Sequence, residues 1–317
     1  MAGDRPPDGG RPGRTAWVVG GSGMLGSAVV RRLRVLDRDV VTTSVPWHDH
    51  HAAVEALRAA ARDLPDQGWE LFWCAGAAVT ASSEADVHAE VAVFQELLSE
   101  WHPSTAGRAG VFLASSAGGL YAGADGAPFT ERTEPAPISA YGRAKLRMED
   151  LVAEFAQRAD VAVLVGRLAN LYGPGQDLTK PQGLVSQLCR AELTRRPLTV
   201  YVPTDTRRDY LYVDDAAAMV VAATGQVTDH GVRALKVLAS EHSTTVGAIV
   251  SDLRRITRRP PPVVFGTSPT APFQALDLRL RSVAWPHVSG VARTPLGAGM
   301  AATLASLRGH VAPVLPR

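Results

Sequence analysis

A chain of 317 residues with 46% hydrophobic and 20% charged residues can bury a large core and has the balance of an ordinary soluble globular protein, of one large or two closely joined domains. Its formal net charge of +2 gives no electrostatic reason to propose nucleic acid or a membrane surface as a partner. No run approaches the roughly 18 apolar residues of a membrane span, and the richest stretch, Ala216 to Thr224, directly follows Asp214 and Asp215.

Residues 1–14 carry Pro6, Pro7, Gly9, Gly10, Pro12 and Gly13 among charges, so they are expected to form a tail without a core of its own; they also lack the apolar centre of a signal peptide. A cytoplasmic location is the simplest expectation. From residue 15 onward, short β-rich runs alternate with helical patterns. The strand candidates are Ala16–Val19, Val40–Thr43, Leu71–Cys74, Val111–Ala114 and Val161–Val165. Between 84 and 101, Val87, Val91, Phe94, Leu98 and Trp101 recur at steps of three or four, the stripe of a helix packed on a sheet, and Met148, Leu151, Val152 and Phe155 repeat it after Tyr141.

This alternation predicts an α/β fold: a doubly wound parallel sheet with ligands bound beyond the carboxyl ends of its strands. Residues 15–173 are expected to form a dinucleotide-binding core. Residues 174–317, richer in Pro and Gly, are expected to form a smaller substrate-binding region, with 211–223 returning to the core. Cys74 and Cys189 are too few for a disulfide framework and are expected to be reduced and structural.

Three features carry chemistry. Gly20-Gly21-Ser22-Gly23-Met24-Leu25-Gly26 follows a strand and opens a helix, where Gly20, Gly23 and Gly26 allow a tight turn, close approach of a pyrophosphate and close packing of helix on strand. Ser115 and Ser116 end the strand Val111–Ala114, where a hydroxyl could donate to a reacting oxygen. Tyr141 and Lys145 stand four residues apart on one helix face, so the ammonium can favour the phenolate, a general base for an alcohol proton. The bland readings are a plain glycine turn, a Ser-Ser turn and a chance surface pair; the three occurring together, in this order, favour hydride chemistry on a carbinol.

Taken together, these elements make the chain resemble the extended short-chain dehydrogenase/reductase family, specifically its NAD(P)-dependent epimerase/dehydratase group acting on nucleotide sugars, over about residues 15 to 290. The motifs are Gly20-x-x-Gly23-x-x-Gly26, the segment from Ser115 to Tyr121, Ser139 to Lys145, Arg167 to Gly175 and Arg208 to Asp215, all in family order. The resemblance implies a Rossmann-type sheet, NAD or NADP as cofactor, a nucleotide-sugar substrate and a homodimer, for which helices 84–101 and 141–157 could form an intersubunit bundle or equally spend their apolar stripes on the sheet. Tyr141 is implied as catalytic base, Lys145 as the residue that lowers its pKa and holds the nicotinamide ribose, and Ser116 as the hydroxyl that orients the substrate, with Ser115 left open for that role. Cofactor contacts are implied for Gly20, Ser22, Gly23, Met24, Leu25, Gly26, Ser44, Asp49, Ala75, Gly76, Ser115, Tyr141, Lys145 and Leu168. Substrate contacts are implied for Ser116, Ala117, Tyr141, Asn170 and Arg208, the last two toward the diphosphate.

The chain departs from the family in several places. The end of the second strand carries Ser44 rather than an acid, which permits NADP. Ala117, Gly118 and Gly119 stand where dehydratases and decarboxylases of the family carry acids. Glu90 replaces a common Asn, and the third strand of the usual sheet is reduced to Pro46-Trp47-His48-Asp49. The cluster His48-Asp49-His50-His51 is expected to cap the helix at Ala52 and border the adenine pocket rather than hold a metal, because adjacent residues point in different directions. The first-choice activity is C4 epimerisation through a 4-keto sugar. The alternatives are an NADPH-dependent 4-ketoreductase and a dinucleotide-binding sensor or scaffold without turnover.

Overall fold

The computed structural model describes residues 13–66, 68–76, 84–105, 108–180, 182–267 and 275–309. Strands and helices alternate from Thr15: β1 (Thr15–Val19), α1 (Met24–Val35), β2 (Val40–Thr43), α2 (His50–Arg62), β3 (Trp69–Trp73), α3 (Glu84–Glu100), β4 (Ala109–Ser116), the single turn α4 (Ala117–Leu120), α5 (Ala140–Ala159) and β5 (Ala162–Leu168). There follow β6 (Asn170–Tyr172), α6 (Leu184–Thr194), β7 (Leu198–Val200), β8 (Arg207–Tyr212), α7 (Val213–His230), β9 (Arg233–Leu238), β10 (Ser243–Thr245), α8 (Val246–Thr257), β11 (Val263–Phe265), β12 (Asp277–Leu278), α9 (Pro286–Ser289) and α10 (Leu296–Arg308).

Six strands pair in parallel in the order β2-β1-β3-β4-β5-β9. Both faces of this sheet are covered, which is why β3 and β5 are buried at every residue instead of alternating with polar positions. On one face, Val18, Phe72, Phe112 and Leu164 pack beneath Leu25 and Val29 of α1 and Met219 and Val220 of α7. On the other, Trp17, Leu71, Trp73 and Val111 pack beneath Leu57 of α2, Phe94 and Leu98 of α3, and Met148, Val152 and Phe155 of α5. Among the described residues no strand lies beyond β2; Pro46–Asp49 make a turn, and the Asp49 carboxylate caps α2 by accepting from Ala52 N at 3.0 Å.

Several boundaries move. Of the expected tail, residues 1–12 lie outside the described residues, but Arg14 is anchored: its guanidinium meets Glu70 at 2.8 Å and also pairs with Asp229. Glu70 is fully buried in β3 and takes a second cation, Arg38, at 2.9 Å, so a carboxylate in an apolar strand is satisfied by two guanidiniums. The return to the core is longer than residues 211–223, since α7 runs to His230 and β9 then closes the sheet at its edge. The rest of the second half has its own smaller core, where Val185, Leu188 and Cys189 of α6 meet Ile249 and Leu253 of α8 and Met300 and Leu304 of α10. It also carries a small mixed sheet, β10-β8-β12, with β6 beside β8.

Candidate active site

The glycine turn lies at the carboxyl end of β1, and its backbone needs glycine in two places. Gly20 has φ +83, and a Cβ there would stand 2.6 Å from Ala75 N; a Cβ on Gly26 would stand 2.1 Å from Gly20 O. The turn therefore sits directly against the end of β3, and α1 starts one hydrogen bond away, with Gly23 N donating to Gly20 O at 3.0 Å. Ser22 and Gly23 are exposed at the tip, Met24 is half-buried, and Leu25 faces the core. A glycine-rich turn at the N-terminus of a 12-residue helix fits the pyrophosphate of a dinucleotide, since N–H groups of the first helical turn and the positive end of the helix dipole converge there. Ala75 and Gly76 continue from β3, Ala75 buried and Gly76 exposed; Ser44 is exposed just past β2.

The two serines at the end of β4 part company. Ser115 is buried, and its hydroxyl donates to Glu149 on α5. Glu149 is also gripped by both arms of Arg167 from β5, at 3.1 and 2.7 Å; Arg167 donates in turn to the Tyr121 hydroxyl at 2.9 Å, which donates to Thr130 O at 2.8 Å. Burial raises the Tyr121 pKa despite the neighbouring Arg167, which makes this phenol a fixed donor rather than a base. Ser116 is half-exposed, and its Oγ caps α4 by accepting from Gly119 N at 3.1 Å. A Cβ on Gly119 would stand 3.0 Å from Tyr141 Cε1 and 3.3 Å from Ser116 Oγ, so the phenol ring and the Ser116 hydroxyl flank the same point. Geometry thus brings Ser116, and not Ser115, beside Tyr141.

Tyr141 occupies the first turn of α5, which Ser139 caps by accepting from Gly142 N at 3.1 Å. One turn on, Lys145 is buried, with Nζ 5.8 Å from the centroid of the Tyr141 ring. Its nearest anion is Glu90 of α3, at 3.1 Å. Burial opposes the charge on Lys145, but Glu90 and Tyr141 hold its pKa above the ordinary lysine value. The pairing reaches the end of β3 as well: a Cβ on Gly76 would lie 3.7 Å from Lys145 Nζ.

Of the remaining expected residues, Leu168 and Ala117 lie at the ends of β5 and β4, and Asn170 and Arg208 lie on β6 and β8 of the smaller sheet. Leu168 pairs with Ser116 across β4 and β5, and Ala117 is buried. Asn170 is exposed and donates from Nδ2 to Asp209 O at 3.2 Å. Arg208 donates to the carbonyls of Arg207, Ala275 and Leu276, at 2.8, 2.6 and 3.4 Å. Asp209, Asp214 and Asp215 serve the framework: Asp209 accepts from Ser240 N, Asp214 pairs with Arg31, and Asp215 accepts from Arg293 N and Thr294 N. Asp49 is a helix cap, and His50 Nε2 lies 2.7 Å from Glu96 Oε2. Among the described residues no three His, Cys, Asp or Glu side chains are grouped to hold a metal ion. Sequence reasoning gave no role to Glu149 or to Arg167, although Arg167 opens one of the family motifs; the available signal was an arginine inside the apolar strand Ala162–Leu168.

Comparison with known proteins identifies the family. The model of the NAD dependent epimerase/dehydratase family matches residues 16–233. A dTDP-L-rhamnose 4-epimerase of Burkholderia thailandensis is 34% identical over 93 residues, 29% of this chain and 26% of that protein. A dTDP-4-dehydro-6-deoxyglucose reductase of Escherichia coli is 27% identical over 130 residues, 41% of this chain and 39% of that protein. The matched segments thus span well under half of the length of either relative. A solved structure of MoeE5 in complex with UDP-glucose and NAD is 26% identical with a TM-score of 0.75, covering 94% of this chain and 99% of that one. With the glycine cradle, the Tyr141–Lys145 pair and a family match over more than two thirds of its length, the chain belongs to the NAD dependent epimerase/dehydratase family.

Proposed function

We propose that the protein is an NAD-dependent nucleotide-sugar C4 epimerase that works through a 4-keto sugar. The observation that carries the reading is the convergence of the Tyr141 ring and the Ser116 hydroxyl on one point at the end of β4, with Lys145 one turn behind the phenol. When bound, the nicotinamide supplies the reversible acceptor for hydride. Residues of the Gly20–Gly26 turn hold its pyrophosphate, and Lys145 its nicotinamide ribose. Tyr141 as phenolate takes the proton from the sugar hydroxyl, Ser116 donates to the same oxygen as it becomes carbonyl, and Tyr141 returns the proton when hydride comes back to the other face. Asn170 and Arg208 contact the diphosphate, for which Arg208 exchanges backbone carbonyls for phosphate oxygens.

Ala117, Gly118 and Gly119 supply no carboxylate after Ser116, so neither elimination of water nor decarboxylation has a catalyst there. The same reading includes a homodimer through the outer face of α3 and α5, where Val91, Ala92 and Ala140 lie among Glu84, Arg143 and Arg147; sedimentation velocity tests it. The 4-ketoreductase reading is favoured by one observation, the exposed Ser44 past β2 where a carboxylate would repel a ribose phosphate.

Incubation with UDP-, TDP- and GDP-sugars, read by mass spectrometry of bound cofactor and by chromatography of the sugars, separates the two. Isomer formation with no net change in cofactor redox state is expected. Consumption of NADPH with a keto-sugar alone would sink the epimerase in favour of the reductase. Tyr141→Phe is expected to lower turnover at least about a hundredfold while cofactor binding stays within about threefold of wild type, because the phenol oxygen is lost and the glycine cradle is not. A comparable fall in both would place Tyr141 outside the chemistry.

A further inference from the structure

Glu90 places a carboxylate inside the catalytic centre. It projects from α3, is 6% exposed, and sets Oε1 3.1 Å from Lys145 Nζ, itself 5% exposed. Gly76, at the end of β3, stands beside both: a Cβ there would be 3.7 Å from Nζ and 3.9 Å from Glu90 Oε1. The ion pair therefore lies where β3, α3 and α5 meet, on the nicotinamide side of the proposed site. Among the described residues, the charged or titratable groups facing Lys145 are Glu90 from α3 and Tyr141 from its own helix; Met148 contributes a sulfur at 3.8 Å. Glu149, one turn further along α5, is committed to Arg167 and Ser115 instead.

A lysine alone at this position gives the phenol and the nicotinamide a full positive charge. That charge lowers the cost of forming phenolate and raises the cost of a cationic, oxidised nicotinamide. A buried carboxylate 3.1 Å away offsets it, with little water to screen the effect. We infer that Glu90 is a positioning residue that fixes the Lys145 ammonium and offsets its charge, so that the site favours oxidised over reduced NAD. The inference rests on the epimerase reading for its substrate and on cofactor binding for its first test.

The test is the ratio of dissociation constants for NAD+ and NADH, measured by calorimetry on the full chain at pH 8, for wild type, Glu90→Gln, Glu90→Asp and the double variant Glu90→Gln/Lys145→Met. Glu90→Gln keeps volume and loses charge, so the NAD+/NADH ratio is expected to rise about tenfold, the effect of about one pKa unit of charge interaction. Glu90→Asp keeps the charge and is expected to stay near wild type. The double variant restores a neutral pair and is expected to return toward the wild-type ratio, whereas Lys145→Met alone, measured alongside, leaves the carboxylate without its cation and is expected to lower the ratio, a shift that can be read even where Glu90→Gln folds poorly. Equal weakening of both cofactor forms, with an unmoved ratio in every variant, overturns the inference and leaves Glu90 a structural ion pair. If no sugar turns over while the ratio moves, the epimerase reading fails and the role of Glu90 stands.

Discussion

At the scale of single residues, the adjacent hydroxyls of Ser115 and Ser116 have different jobs because a strand sends successive side chains to opposite faces. Ser115 points into the layer beneath α5 and meets Glu149; Ser116 emerges beside Tyr141. Ser116→Ala is expected to cut turnover by about a hundredfold with little change in melting temperature, as loss of one oxyanion donor does. Ser115→Ala is expected to do the reverse, costing about 1–3 kcal/mol in denaturant unfolding because a buried carboxylate loses a donor, with turnover changed by less than about threefold. The larger loss in this network belongs to Glu149→Leu, which leaves the Arg167 guanidinium buried without its carboxylate and is expected to cost about 3–5 kcal/mol. Interchanged effects for the two serines would mean that the hydroxyl beside Tyr141 is not the one that works on the substrate.

At the scale of elements, the cofactor cradle depends on how closely α1 approaches β1. Gly26 allows that approach, and Gly26→Val would force its side chain into Gly20 O, which stands 2.1 Å from the position of a Cβ. The helix must then shift, so NAD affinity is expected to fall at least about tenfold and stability by about 1–3 kcal/mol; an unchanged affinity by calorimetry would place the pyrophosphate elsewhere. The glycine spacing was legible because such a turn has few alternatives. The pairing of Glu90 with Lys145 was not, because their 55-residue separation closes only when α3 and α5 lie side by side on the sheet. The same packing explains the aromatic cluster of Trp17, Trp69, Trp101 and Phe155, drawn from three strand or helix segments and the loop after α3, with Trp69 and Trp101 ring centroids 4.8 Å apart and Trp101 stacked on Phe155 at 5.3 Å.

At the scale of the whole molecule, the segment 275–292 is tied back to the core sheet through two charged side chains. Lys236 of β9 is fully buried and donates to Ser282 Oγ, Ala284 O and Ser289 Oγ at 2.8, 2.6 and 3.1 Å. Glu131 accepts from Val237 N and Val283 N at 2.9 and 2.8 Å and from Ser282 Oγ. Burial opposes the Glu131 charge, but these donors hold its carboxyl below the ordinary value of 4.5. A depressed carboxyl adds stability that is complete above its unfolded value and is lost as pH falls through its folded value. The protein is therefore expected to lose stability below about pH 4.5, and less steeply in Glu131→Gln, where this contribution is already gone. Parallel acid-unfolding curves for the two proteins would show that Glu131 does not link these segments to folding.

The sequence by itself determined the doubly wound order, the glycine cradle, the Tyr141–Lys145 spacing and the expected family, because each of these is set by local periodicity or by residues within a few positions of one another. Strand ends shifted by a few residues, and Arg14 and β9 proved part of the core, since what holds them is pairing with distant segments rather than local pattern. The cap at Asp49 was already legible in the local sequence, whereas only the tertiary structure placed Ser116 rather than Ser115 beside Tyr141, tied Ser115 to Glu149, and set a carboxylate against Lys145. Those outcomes depend on which side chains meet across the sheet and its helices, and burial then fixes their charges and hydrogen bonds; a one-dimensional pattern carries no record of such meetings.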